Sequence, residues 1–126
     1  MQKLLIFLLP ACLLLFSACA TKESAAQTVE TYLKALIAKD ANSLSALSCA
    51  DWEAQALLEL DSFQGVEASL SDLACSVTGT DGDTSLVTCQ GKIIASYNGE
   101  AQEISLSDRT YQVNSQSGES LVCGYR

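Results

Sequence analysis

The chain of 126 residues contains no histidine. This absence excludes imidazole acid–base catalysis, histidine-dependent catalytic triads and every metal site that needs a histidine ligand. The one proline, Pro10, lies in the apolar N-terminal run, so no proline interrupts the helices or strands that follow. Basic residues are few, with 7 lysines and arginines against 15 acidic residues. An acidic chain is repelled by nucleic acid, which we therefore do not expect as a partner.

The apolar N-terminal run is the most informative segment of the chain. Lys3 precedes the apolar residues 4–16, and the small Ser17 and Ala18 lead directly to Cys19. At about 13 residues the run is shorter than the ~20 that a helix needs to cross a bilayer. A positive start, a short apolar run and small residues are typical of a secretory signal peptide.

The sequence Phe16-Ser17-Ala18-Cys19 resembles a bacterial lipobox, with phenylalanine where leucine is more frequent. The resemblance implies cleavage after residue 18, a diacylglyceryl thioether on Cys19 and acylation of the new amino group. Residues 19–23 would then form a short polar tether, and residues 24–126 a single exported domain at the cell membrane or outer membrane.

The exported part would carry 6 basic and 15 acidic side chains, a net charge of 6 − 15 = −9. The partner expected from these observations is therefore the lipid bilayer, reached through the acyl chains on Cys19 rather than through a basic surface. No cofactor other than this covalent lipid is expected.

Four cysteines remain when Cys12 and Cys19 are set aside. An even number in a small exported domain predicts two structural disulfides. The four residues are Cys49, Cys75, Cys89 and Cys123. Their spacings of 26, 14 and 34 residues lack the close pairs typical of a zinc site, so no metal is expected.

One pairing of these cysteines follows from the expected hairpin geometry. If Gly82 is the centre of a three-residue turn, Cys75 lies directly opposite Cys89, where a disulfide becomes possible. Cys49 would then pair with Cys123. The rival pairing, Cys49 with Cys75 and Cys89 with Cys123, stays open at this point.

Three stretches show helical spacing of apolar residues. The spacing of Ser24 and Gln27 is that of a capping box, which predicts a helix start. The apolar stripe of this helix consists of Val29, Tyr32, Leu33, Leu36 and Ile37. Asp40 predicts a cap for a second, short helix, and a third helix is expected from Asp51 to Gly65.

After Gly65 the apolar residues alternate, as in a β-strand. They fall on even numbers from Val66 to Leu70 and on odd numbers from Leu73 to Val77. Alternation cannot change parity without an extra residue, so we predict a bulge or short turn near Ser71-Asp72.

Turn signals divide the rest of the chain into antiparallel hairpins. Residues 80–84 predict the first turn, and Asn98-Gly99 predicts a type I′ turn that places Ile93 opposite Ile104. The last hairpin joins residues 109–114 to 119–125. Helices followed by an antiparallel meander predict an α+β domain, with the helices packed on one face of a curved sheet.

Three segments together resemble small exported domains of the nuclear-transport-factor-2-like superfamily, a cystatin-like α+β arrangement. They are the helix with Tyr32-Leu33-Lys34-Ala35-Leu36 followed by Lys39-Asp40-Ala41-Asn42, the meander with Asn98-Gly99, and the ending Tyr111-Gln112-Val113, Gly118 and Leu121-Val122-Cys123-Gly124. The resemblance implies a cone of helices against a curved sheet. Members include steroid isomerases, polyketide cyclases, dehydratases and proteins without catalysis, so the fold does not select a function.

Aromatic residues are the candidates for a ligand site. Trp52, Tyr32, Tyr97 and Tyr111 could line the mouth of the cone and bind an apolar ligand, or they could be core and rim aromatics. No family active-site motif matches, so no catalytic residue is assigned.

Acidic groups offer only weak alternatives to an aromatic ligand site. Asp51 fits a helix N-terminus as well as a buried base. Asp81-Gly82-Asp83 lacks the rest of a calcium loop, and Glu100, Glu103 and Asp108 fit a solvated face. Arg126 could be presented to a partner or simply end the last strand.

Two classes of function follow. The first is a non-catalytic, membrane-anchored module that binds a small apolar molecule or another envelope protein. The second is a structural envelope accessory without a ligand site. An enzyme of the polyketide-cyclase or isomerase type is a more distant alternative, because it would need convergent titratable groups in a pocket.

Overall fold

Within residues 17–126, three helices precede five antiparallel strands and pack on the sheet around an apolar core. The computed structural model describes residues 17–126, with side chains from Ser24 onward. The elements are α1 (Ser17–Ala38), α2 (Ala41–Ala46), α3 (Ala50–Ser62), β1 (Glu67–Asp81), β2 (Thr84–Tyr97), β3 (Glu100–Ser105), β4 (Thr110–Gln116) and β5 (Glu119–Tyr125). The predicted α+β class is confirmed. Within the described range, no helix combines the length and apolarity needed to cross a bilayer.

Helix α1 begins at Ser17, seven residues before the predicted cap at Ser24. Residues 17–23 include two alanines and contain neither glycine nor proline, so none of them stops a helix. The Ser24 hydroxyl instead lies 3.1 Å from that of Ser120 and connects α1 to β5. In the predicted apolar stripe, Val29, Tyr32, Leu33 and Leu36 are fully inaccessible, and Ile37 is partly buried.

The two shorter helices begin and end close to the expected positions. Asp40 caps α2 by accepting hydrogen bonds from the Ser43 hydroxyl at 2.6 Å and the Ser43 amide at 3.2 Å. These hydrogen bonds hold the pKa of the Asp40 carboxyl below its ordinary value. Helix α3 ends at Ser62, and Gly65 follows with φ of +76°, which a residue with a side chain rarely adopts.

Strand β2 is the centre of the sheet. One of its edges pairs with β1, and the other is shared by β4, along Thr84–Thr88, and β3, along Lys92–Tyr97. Strand β4 therefore pairs with β2 and β5, and β3 pairs with β2. Ile93 lies opposite Ile104, as predicted. The turn Asn98-Gly99 has positive φ at both residues, as a type I′ turn requires.

A bulge in β1 occurs where the alternation changes parity. The register with β2 shifts between Ser71 and Ala74, and Asp72 has φ of +56°. This confirms the bulge predicted at Ser71-Asp72. Gly91 on β2 faces the bulge with φ of +98°, and a β-carbon there would collide with the carbonyl oxygens of Ser71 and Asp72, the latter at 2.6 Å. The bulge therefore requires glycine at position 91.

The substitution Gly91→Ala is expected to lower the free energy of unfolding by about 2–3 kcal/mol, because the new methyl group meets backbone atoms and the φ value is strained. Gly79→Ala is the matched control, since a β-carbon at Gly79 on β1 would meet only the Leu86 side chain, at 3.7 Å. Urea denaturation of the oxidised domain measures both. Equal losses in the two variants would contradict this account of the bulge.

The predicted three-residue turn around Gly82 is wrong, but the disulfide pairing derived from it is confirmed. Asp81 pairs with Thr84, so the turn contains two residues, the length favoured by the twist of a hairpin. A second register shift, between Val77 and Gly79, compensates for the missing turn residue. The disulfides are Cys75–Cys89 and Cys49–Cys123.

Hydrogen bonds from helical segments cover parts of both edges of the sheet. The Cys49 amide donates to Val122 O, and the Val122 amide donates to Leu47 O, each at 2.8 Å, so the segment before α3 runs along β5. At the other edge the Glu30 carboxylate accepts a hydrogen bond from the Cys75 amide of β1 at 3.0 Å. One cysteine of each disulfide, Cys49 or Cys75, donates one of these hydrogen bonds, which cover positions where an exposed strand could otherwise pair with another chain.

Candidate functional site

A cleft of about 360 Å³ lies between the end of α3 and the hairpin formed by β2 and β3. Its volume is within the range of small-molecule sites. The wall combines apolar side chains with about as many that carry polar groups, and Tyr97 lies at the rim with 62% of its surface exposed. The lining residues are Ser62, Phe63, Val66, Ala95, Tyr97, Glu100, Gln102 and Ile104.

Local structure explains why these side chains converge. Ala95 pairs with Gln102 across the hairpin, so both point to the same face of the sheet, and the small Ala95 leaves space beside its neighbours. Opposite them, the chain turns after α3, with the Val66 amide donating to Phe63 O at 3.1 Å. This turn directs the apolar side chains of Phe63 and Val66 towards the sheet. The arrangement can hold an apolar molecule and offer it an amide and a carboxylate at one side.

A separate aromatic cluster fills the interior between α1, α3 and the C-terminal strands. The Trp52 indole N–H donates to the Tyr32 hydroxyl at 3.0 Å. Tyr111 packs edge-on against Tyr32, with ring centres 6.3 Å apart, and Tyr125 packs at 5.5 Å from both Tyr111 and Trp52. Edge-to-face pairs of this kind stabilise a core beyond the area that they bury.

An ion pair lies next to this cluster. The Arg109 guanidinium donates to the Glu59 carboxylate at 2.8 Å and to the Tyr111 hydroxyl at 3.4 Å. Arg109 also lies over the Tyr125 ring, 4.4 Å from its centre. The two charged side chains are only 21% and 12% exposed. Arg109 therefore joins α3 to the last two strands by charge, hydrogen bonding and stacking.

The polar groups in this interior cluster form hydrogen bonds or an ion pair with one another. Burial raises the pKa of both the Tyr32 and Tyr111 hydroxyls, so both are harder to deprotonate than an exposed tyrosine. The Glu59 carboxylate is occupied by Arg109. Among the side chains described, from Ser24 onward, no buried nitrogen or oxygen lacks a hydrogen-bond partner. These hydrogen bonds and the ion pair therefore stabilise the core.

The four aromatic residues proposed as a ligand pocket lie in two places. Tyr32, Trp52 and Tyr111 belong to the interior cluster, and Tyr97 is in the cleft. Tyr32 and Tyr111 are fully buried, so these two residues are core aromatics. The structure does not bring the four together into one pocket.

Sequence reasoning missed Glu59, Arg109 and Tyr125. Glu59 follows Trp52 by seven residues and so shares its helix face, and Arg109 precedes Tyr111 by two residues and so shares its strand face. Tyr125 pairs with Tyr111 across β4 and β5. The spacings were visible in the sequence, but the pairing of these faces depends on the tertiary fold.

The acidic candidates lie at the surface. Asp51 is exposed in the first turn of α3, and Asp81 and Asp83 are exposed at the first hairpin turn. Glu103 pairs with Lys92 at 2.9 Å, and the two side chains are 61% and 39% exposed. Within residues 24–126, no three histidine, cysteine or acidic side chains are grouped as metal ligands would be.

Comparisons with known proteins identify the fold. No family model matches the chain, and no curated protein matches it. An NTF2-like protein of unknown function from Pseudomonas putida KT2440 is similar in structure, with a TM-score of 0.57, 14% identity, and coverage of 86% of this chain and 85% of that one. A protein of the NTF2-like family from Streptomyces avermitilis, named as a candidate dehydratase, has a TM-score of 0.59, 17% identity and coverage of 86% and 95%. The chain therefore has the NTF2-like α+β fold.

Proposed function

We propose that this chain is an exported lipoprotein whose NTF2-like domain binds a small apolar molecule without catalysing a reaction on it. The short apolar run that ends at Cys19 supports export and lipid anchoring. The two disulfides support an oxidising compartment outside the cytosol.

The cleft is the observation that carries the binding function. Phe63, Val66 and Ile104 supply an apolar wall, and Tyr97 at the rim offers an exposed ring. The polar groups at the same cleft, Gln102 and Glu100, could orient a ligand that has one polar end. A concave apolar surface with a few polar groups is the common form of a small-molecule site.

The interior cluster gives catalysis less support. The tyrosines are held protonated, and Glu59 is neutralised by Arg109. A general base must be free to accept a proton near the substrate. The similarity to a candidate dehydratase concerns the fold, so an enzyme and a structural accessory without a ligand are retained as alternative outcomes of the test.

Native mass spectrometry of the protein purified from its own cells tests the proposal. We expect loss of residues 1–18, addition of lipid at Cys19 and retention of a small apolar molecule. Retention of a protein instead would favour an envelope-protein partner. A processed chain that retains neither would favour the structural accessory, and an unprocessed chain would contradict lipid anchoring.

The substitution Ala95→Phe is expected to weaken binding of the neutral fluorescent probe N-phenyl-1-naphthylamine by about tenfold or more, because the ring would occupy the cleft and remove apolar contacts worth over 1 kcal/mol. Ala101→Phe is the matched control, since Ala101 is exposed and alternates with Glu100 and Gln102 onto the opposite face of β3. Fluorescence titration measures both. Equal affinity in the two variants would place the probe outside the cleft.

A further inference from the structure

We infer that the cleft opens at the end of the domain opposite the lipid anchor, so that it takes its apolar ligand from the aqueous space and not from the anchoring bilayer. This inference rests on the proposed lipidation of Cys19 and on the proposed ligand cleft.

Helix α1 spans the distance between the lipid anchor and the cleft. The helix runs from Ser17 to Ala38, and its backbone is continuous through Cys19. At 1.5 Å per residue, the α-carbons of Cys19 and Ala38 are about 28 Å apart along the helix axis. The residue after the helix, Lys39, donates from its ammonium group to Val66 O at 2.8 Å, and Val66 lines the cleft. The C-terminal end of α1 is therefore the cleft end.

The other end of α1 lies against the last hairpin. The Ser24 hydroxyl contacts that of Ser120, one residue after the start of β5. The turn between β4 and β5, residues 117–118, is thus near the anchor. The cleft and this turn are at opposite ends of the domain.

Strand β2 gives a second, independent measure. Its first residue, Thr84, pairs with Asn114 near the β4–β5 turn, and its last residue, Tyr97, lies in the cleft. Fourteen residues of strand span at most about 45 Å. Strand β2, like helix α1, therefore has the cleft at one end and the β4–β5 turn at the other.

Charge disfavours a domain that lies flat on the membrane. The exported part has a net side-chain charge of 6 − 15 = −9, and a surface with anionic lipids repels it. Glu67 and Glu100 at the cleft end are exposed. Repulsion holds the cleft end away from the surface, while the acyl chains hold only the N-terminal end.

Energy transfer to the bilayer tests this orientation. Ser62→Cys places a fluorescent label at the cleft, and Ser115→Cys places one near the β4–β5 turn; both serines are exposed. Each processed, lipidated variant is inserted into vesicles of phosphatidylcholine and anionic phosphatidylglycerol that contain an acceptor-labelled lipid. Because the labels lie about the length of α1 apart and energy transfer falls steeply with distance, transfer from position 62 is expected to be about twofold weaker or more than that from position 115. Equal transfer, or stronger transfer from position 62, would overturn the inference.

A separate measurement distinguishes failure of this inference from failure of the binding function. The cleft should take up N-phenyl-1-naphthylamine equally fast when the probe is supplied in water to vesicle-bound or to lipid-free protein. Faster uptake only from probe dissolved in the anchoring vesicle would overturn the inference but leave the binding site in place. Absence of probe binding in both forms would instead remove the proposed function, whatever the orientation.

Discussion

The variant Arg109→Met is expected to lose about 3 kcal/mol of unfolding free energy, because it leaves the mostly buried Glu59 carboxylate without a partner. The variant also loses the hydrogen bond to Tyr111 and the contact with the Tyr125 ring. Denaturant unfolding of the oxidised domain, followed by Trp52 fluorescence, measures the loss. Trp52 is a suitable reporter because it packs on Tyr125.

A surface ion pair provides the control for this prediction. Lys92 and Glu103 are as close as the interior pair, at 2.9 Å, but their side chains are 39% and 61% exposed. Lys92→Met is therefore expected to cost less than about 1 kcal/mol. The double variant Arg109→Met with Glu59→Met should regain most of the loss, since no unpaired charge remains. A double variant as unstable as the single one would show that packing, and not charge, dominates at this position.

Removal of the Cys49–Cys123 disulfide, by replacing both cysteines with alanine, is expected to cost about 4 kcal/mol. The bond closes a loop with a sequence separation of 74 residues, and cross-linking a longer loop removes more entropy from the unfolded chain. The same substitutions also loosen the segment that hydrogen-bonds to Val122 along the edge of β5. Because a small domain has a total stability of only about 5–15 kcal/mol, this variant is expected to be marginally folded.

The second disulfide is the matched comparison. Cys75 and Cys89 are separated by 14 residues and lie opposite each other on paired strands, so their replacement by alanine is expected to cost about 3 kcal/mol. Thermal unfolding of the two double variants, compared with the parent, measures the order of the two effects. A larger loss from the Cys75–Cys89 variant would show that local packing outweighs loop entropy in this domain.

Patterns among neighbouring residues were sufficient to predict much of the fold. The change of parity between Leu70 and Leu73 located the bulge, because side chains on a strand alternate strictly. The Asn98-Gly99 pair located a type I′ turn, because few residues adopt positive φ at both positions. Such features depend only on neighbouring residues, so one sequence reveals them.

The disulfide pairing shows how a correct prediction can come from an incorrect detail. The turn at Gly82 is one residue shorter than predicted, and the second bulge in β1 restores the register. Gly79 was the sequence signal for that second bulge, since an isolated glycine within a strand often marks one. What remained reliable was that Cys75 and Cys89 lie on adjacent antiparallel strands, close enough to meet after a small local adjustment.

The amino-acid sequence by itself showed the apolar start, the acidity and the absence of histidine, since these depend only on composition. It also determined the order of helices and strands, which depends on spacing along the chain. The tertiary structure decided which faces meet. Glu59 and Arg109 are 50 residues apart, and the cleft combines the end of α3 with a distant hairpin. Contacts of this kind depend on how the helices pack across the sheet, and packing depends on the whole chain and not on any local pattern.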